Sequence, residues 1–219
     1  MTEEIKAVAR RHLAADGANL SLRAVARDLG MVSSALYRYF ASRDDLLTAL
    51  ILDAYNSLGD AVERADAAVD RGDVLGRWLA ACRAVRAWAL ANPHQYALIY
   101  GSPVPGYRAP QDTIAPATRP TLVMGAILRD GVAAGVVRAE RGERLPKAVR
   151  TDLARIAGAL PGVPVPVLAR GMTAWIELFG FVNFELFGRF TNTIDDVDAF
   201  FEHQMRAMAE LVGLSRSRR

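Results

Sequence analysis

Ser33, Ser34, Tyr37, Arg38 and Tyr39 place two hydroxyls, two phenols and one guanidinium within seven residues. These groups make poor core and good nucleic-acid contacts. Hydroxyls and phenols bind phosphate oxygens, and Arg reads a guanine edge or a phosphate. Between and after them lie Ala35, Leu36 and Phe40. Leu36 and Phe40 are four apart, so one side of a helix of about two turns faces inward and the polar five point largely away. An ordinary pair of packed helices with a solvated outer face would give the same pattern.

The segment before this stretch must position it. Ser21 can cap a helix carrying Leu22, Val25, Ala26 and Leu29 at helical spacing, and Gly30 breaks it. Helix, tight Gly turn and short polar-faced helix is the helix-turn-helix layout. Ile5, Val8, Ala9 and Leu13 share one face of an earlier helix, with Gly17 at its C-terminal cap position. This helix should close a three-helix domain. Ser42 to Asp45 reads as a capping box with Asp in place of Glu. It opens a long fourth helix with Leu46, Leu47, Leu50, Ile51, Ala54, Leu58 and Val62 inward. Arg43, at the start of that helix, can hold a phosphate together with backbone N–H groups, or be a solvated side chain.

These residues resemble the TetR family of bacterial transcriptional regulators. The resemblance rests on Leu22-Arg23-Ala24-Val25-Ala26, Leu29-Gly30, Ala35 to Phe40 and Ser42 to Leu47, joined at fixed spacing over about the first fifty residues. One departure is Val32, where the family places Ser or Thr at the recognition-helix cap; Ser33 is the alternative start. The candidate DNA-binding residues are Ser21, Arg23, Ser33, Ser34, Tyr37, Arg38, Tyr39 and Arg43. The domains expected are a helix-turn-helix domain over 1–47, an effector-binding and dimerisation domain over 48–214, and a basic tail over 215–219.

The chain has 219 residues, is 52% hydrophobic and carries a net charge of +3 from 27 basic and 24 acidic side chains. It is long enough for a real core and too nearly neutral to coat nucleic acid, so a DNA site must be local. One cysteine, Cys82, excludes an internal disulfide and fits a reducing cytoplasm. The acidic start Met1-Thr2-Glu3-Glu4 is unlike a signal peptide, and the apolar run from Trp175 to Phe187 is too short for a membrane span. A cytoplasmic protein without membrane contact is expected. His12, His94 and His203 lack the spacing of a metal-binding pair. No phosphate loop or nucleophile elbow is present. No cofactor, metal or catalytic site is expected.

Beyond the fourth helix, Asp73 can cap a helix that ends at Asn92-Pro93, and Pro93 can open a short one running to Tyr100. Gly101 to Pro116 reads as a proline-ordered loop. Helices follow over Pro120 to Ala134, with Leu122 inward, and over Lys147 to Leu160. The proline-rich break 161–166 separates them from Val167 to Arg189 and Asp195 to Val212, the latter capped by Thr193. No strand alternation is convincing, so the fold class is all-α: a three-helix DNA-binding domain, then a larger helical domain.

The stretch from Val167 to Arg189 is apolar nearly all round, so it must be buried on more than one side, in a bundle centre or against another subunit. Trp175, Phe179-Gly180 and Glu185 to Gly188 resemble a TetR subgroup named for Trp, His and Gly, with Phe179 standing where that His would be. The resemblance implies a homodimer joined by the last two helices, and an effector pocket in each subunit. The candidate interface residues are Trp175, Val182, Leu186, Phe200, Phe201, Met205 and Met208. The candidate pocket residues are Trp78, Cys82, Trp88, Tyr96, Tyr100, Met124, Trp175 and Phe179, which suit an apolar or aromatic ligand or plain core packing. The expected function is a repressor of double-stranded operator DNA released by a small-molecule effector. Control by a protein partner is the first alternative; an enzyme with an accessory helix-turn-helix is the second.

Overall fold

The computed structural model describes residues 1–16, 20–140 and 142–214, and the described residues form ten α-helices, one short 3₁₀ turn and no strand. The expected cap at Gly17 and the tail 215–219 lie outside the described residues. The chain packs as two compact units, one made of 1–59 and 89–119, the other of 60–88 and 120–219. The long insertion of 60–88 between its two segments makes the first unit discontinuous in sequence.

In the first unit, helices α1 (Thr2–Asp16), α2 (Leu22–Asp28) and α3 (Ser33–Leu36) pack with the first half of α4 (Arg43–Ala67). Ile5, Val8, Ala9, Val25, Leu36, Leu46 and Leu47 form a closed core. Two charged ties hold α1 to α4: Lys6 Nζ lies 2.8 Å and Arg10 Nη2 2.7 Å from Asp53 Oδ2. The unit also takes α6 (Pro93–Tyr100) and the loop after it, whose Leu98, Val104 and Tyr107 pack against the same core.

The second unit holds most of α5 (Val74–Ala91) and α7 (Ile114–Ala133), with α8 (Lys147–Ala157), α9 (Val165–Leu186) and α10 (Val197–Val212). Its centre contains a fully buried guanidinium. Arg77 Nε donates to Asp66 Oδ1 at 2.7 Å, and Nη1 donates to Asp130 Oδ2 at 2.8 Å. Paired and hydrogen-bonded, such a charge is tolerable; alone it would cost several kcal/mol, on the order of 3–5. The indole of Trp78 donates to the Met205 carbonyl at 3.2 Å, pinning α5 to α10.

Several boundaries differ from the sequence reading. Helix α7 begins at Ile114, not Pro120. Pro116 falls in its first turn, where a missing N–H costs nothing, and Pro120 is buried inside it. Leu122 faces out rather than in. Helix α9 starts at Val165, with Pro166 in its first turn, and α10 is capped by Asp196, which accepts from the Ala199 N–H at 2.8 Å, rather than by Thr193. At 22 residues, α9 meets the length and composition of a membrane span, contrary to the shorter run expected. Seven of its residues are nevertheless buried in the second unit, which is how a core helix passes that test.

Candidate DNA interface and effector cavity

The DNA-facing candidates are built by α2 and α3. Ser21 caps α2 by accepting from the Ala24 N–H at 3.4 Å. Gly30 takes φ +65, the left-handed conformation a tight turn needs. The cap of α3 is Val32, whose side chain makes no capping hydrogen bond; Ser33 is therefore the first helical residue. Regular α-helix stops at Leu36, and Tyr37 to Tyr39 continue as a tightening turn, with Tyr39 N–H bonded to the Leu36 carbonyl at 2.9 Å. Leu36 and Phe40 are buried, whereas Tyr37, Arg38 and Tyr39 are exposed, the two phenols nearly half so. Ser34 and Arg23 are exposed and Ser33 is half-buried. Ser42 caps α4: its hydroxyl accepts from the Asp45 N–H at 3.1 Å and donates to the Asp45 carboxylate at 2.8 Å. Arg43 is half-buried and its Nε donates to the Leu20 carbonyl at 3.1 Å, which fixes the chain entering α2.

In the second unit a cavity of about 40 Å³ lies among α5, α7, α8 and α9. Trp78, Met124 and Trp175 line it, as the sequence suggested. Thr121, Leu128, Ile156, Leu160, Leu168 and Met172 complete its side-chain walls, and no charged side chain reaches it. Two glycines make the space. A methyl at Gly125 would come within 2.5 Å of Leu160, and one at Gly171 within 2.8 Å of Leu128. The volume holds only a few waters, so a larger occupant must push these leucines aside.

The other pocket candidates lie elsewhere. Cys82 is wholly buried, and burial pushes its thiol pKa up, which leaves it unreactive. Trp88 is buried away from the cavity, and Phe179 is turned from it while stacking on Trp175 with ring centres 4.3 Å apart. Tyr96 and Tyr100 belong to the first unit, their rings 5.1 Å apart, with burial raising both phenol pKa values. That unit has a roomier cleft of about 450 Å³ between α4, α6, the following loop and the start of α7. Tyr55, Tyr107, Leu98 and Ile114 line it, and the Tyr107 hydroxyl meets Thr48 Oγ1 at 2.9 Å. No sequence signal pointed to it, because its walls come from three separate stretches.

The interface candidates divide. Val182, Phe201 and Met205 are at most 1% exposed inside the protomer and cannot meet a partner. The α9 helix turns a different stripe outward: Ile176 at 64%, Phe184 at 54% and, just past its end, Phe187 at 53% exposed. Gly180 lies in the same stripe, and an added methyl there would touch nothing within 4 Å. Trp175, Leu186, Phe200 and Met208 are half-buried.

A helix-turn-helix with a polar outward end, on a chain whose larger unit is helical around an apolar cavity, defines a DNA-binding transcriptional regulator. Residues 5–50 match the family described as bacterial regulatory proteins, tetR family, and residues 78–208 match the tetracyclin repressor-like, C-terminal domain. The HTH-type transcriptional regulator Rv1816 of Mycobacterium tuberculosis is 41% identical over 222 residues, covering 95% of this chain and 91% of its own. The chain therefore belongs to the TetR family. The crystal structure of the regulatory protein SCO4313 superimposes with a TM-score of 0.78 at 35% identity, covering 95% of both chains. PfmR, a TetR family regulator from Thermus thermophilus, shares the fold with a TM-score of 0.60 at 21% identity, covering 97% of this chain and 99% of its own.

Proposed function

We propose that the protein is a cytoplasmic homodimeric repressor that a small, uncharged, apolar or aromatic molecule releases from a near-palindromic operator. The observation that carries the DNA half is the outward Tyr37-Arg38-Tyr39 turn on the buried Leu36–Phe40 anchor. A two-fold dimer sets two such turns into successive major grooves, about 34–36 Å apart. Ser33 and Ser34 supply phosphate contacts, and Arg23 and Arg43 add positive charge on either side. The stripe Ile176, Phe184 and Phe187 supports the dimer, since apolar patches of this kind mark interfaces.

The cavity walls support the effector class. With Thr121 the one hydroxyl-bearing residue among otherwise apolar walls and no charged group to pair with, a charged ligand would lose its hydration without compensation. An effector that expands the space past Leu160 and Leu128 binds one conformation better than another, and only that difference shifts DNA affinity. Such coupling is typically about 1–3 kcal/mol and must be reciprocal. The test is titration of candidate apolar ligands with and without operator; equal ligand affinities in the two titrations would rule the switch out. Met124→Trp should fill the cavity and abolish the response while DNA binding persists.

The cleft of about 450 Å³ in the first unit favours a second reading, because it holds an effector without rearrangement. In that case Ile114→Trp, and not Met124→Trp, abolishes the response. Among the described residues no group of three His, Cys, Asp or Glu side chains is placed to hold a metal ion.

A further inference from the structure

Val32 is 70% exposed, so its isopropyl group stands largely in solvent. It stands at the cap of α3, where a Ser, Thr, Asp or Asn side chain would stabilise the helix by about 1 kcal/mol. Four other helices use that device, through Ser21, Ser42, Asp73 and Asp196, while α6, α8 and α9 start without a side-chain cap, two of them behind a proline. At α3 the capping bond is absent and an aliphatic group projects from the leading end of the segment that carries Ser33, Ser34, Tyr37 and Arg38.

We propose that Val32 is a specificity-determining residue that packs on the C5-methyl group of a thymine in each operator half-site. The inference rests on the reading that this segment enters the major groove. The leading residues of a recognition helix are those that meet base edges there. Thymine presents the one methyl group on the major-groove edge, and an aliphatic side chain is its natural partner. The flanking hydroxyls fix register on phosphates and carry no sequence information of their own. Val32 thus supplies apolar discrimination beside the polar contacts of Arg38.

The experiment uses the full-length protein and the duplex it selects from a random pool. Each thymine of one half-site is replaced in turn by deoxyuridine, which removes only the methyl group. For the wild-type protein one replacement should weaken binding about three- to fivefold, the value of one buried methyl. Val32→Ala should bind the unmodified duplex more weakly by a similar factor and be indifferent to that replacement. Val32→Thr, which keeps one methyl and restores a capping hydroxyl, should retain part of the sensitivity. Wild-type indifference to every replacement overturns the proposal, as does equal sensitivity in wild type and Val32→Ala. Arg38→Ala on the same duplex separates the two ideas: if it binds as tightly as wild type, the recognition face itself is misplaced.

Discussion

The turn at the end of α3 and the outer stripe of α9 are both exposed, and they are chemical opposites. Tyr37, Arg38 and Tyr39 offer two hydroxyls and a guanidinium on aromatic and aliphatic stems. Ile176, Phe184 and Phe187 offer carbon alone. The first surface stays hydrated until an anionic, hydrogen-bonding partner replaces the water. The second gains from any apolar partner, and a second copy of itself is the one always at hand. The contrast shows that exposure marks a surface as available, while the atoms on it decide for what.

The contrast breaks most visibly if the surfaces are interchanged in character. Phe184→Asp puts a charge on the apolar stripe twice in a two-fold dimer. Dissociation of the dimer should become easier by about 4 kcal/mol or more, read by sedimentation velocity, with the protomer fold intact by circular dichroism. A Phe184→Asp protein that sediments as wild type does would place the interface elsewhere. Arg38→Ala should weaken operator binding by about 1–3 kcal/mol and leave assembly unchanged.

Gly180→Ala sharpens the comparison because its two effects oppose. The added methyl meets nothing within 4 Å in the protomer, so helix propensity alone should stabilise it by up to about 1 kcal/mol, seen as a higher melting temperature when monomeric. If α9 approaches a partner closely there, the same methyl must loosen the dimer. A rise in both protomer stability and dimer affinity would show that Gly180 is not at the close approach.

The smallest effect concerns acid. Hydrogen bonding to Arg83, outweighing burial, holds Glu202 below its usual 4.5. Burial would raise Asp130, but Arg77 holds it below its usual 3.8. Carboxyls that ionise lower when folded contribute fully above their unfolded values and lose that contribution as pH falls through the folded ones. The second unit should therefore lose stability below about pH 4.5, by less than about 1 kcal/mol from the partly exposed Glu202. Glu202→Gln should flatten that part of the melting-temperature profile, and an unchanged slope would assign the acid sensitivity to other groups.

Local devices were legible in the sequence, and facing relationships were not. Ser21, Ser42 and Asp73 cap as their spacing implied, because a cap depends on three neighbouring residues. The inward Leu36 and Phe40 followed from helical period alone. On α9 the same reasoning had no purchase: with apolar residues around the whole circumference, only the placement of the helices packed against it decides that Val182 is core and Phe184 is surface. The prolines of α7 misled because Pro116 read as the end of the loop and Pro120 as the start of the helix, whereas Pro116 sits in the first turn, where a missing N–H costs nothing, and Pro120 sits inside the helix. Trp78, Met124 and Trp175 were legible as cavity walls by type, but the glycine notches were invisible until Leu160 and Leu128 came to rest over them.

Helix α8 has one buried side chain, Leu153, while Val149 is exposed, Ile156 borders the cavity but stays partly exposed, and the turn after it delivers Leu160 to the cavity. So thinly anchored a segment belongs to the low end of local stability, and its amides should exchange with deuterated solvent well before those of α9. On the proposed reading this makes α8 a rate-setting element. An effector would have to wait for it to open, so the observed association rate should level off at high effector concentration, at the opening rate of this helix. Strengthening the anchor should then slow arrival and departure alike, changing how quickly transcription responds while leaving the effector concentration at half-response nearly where it was.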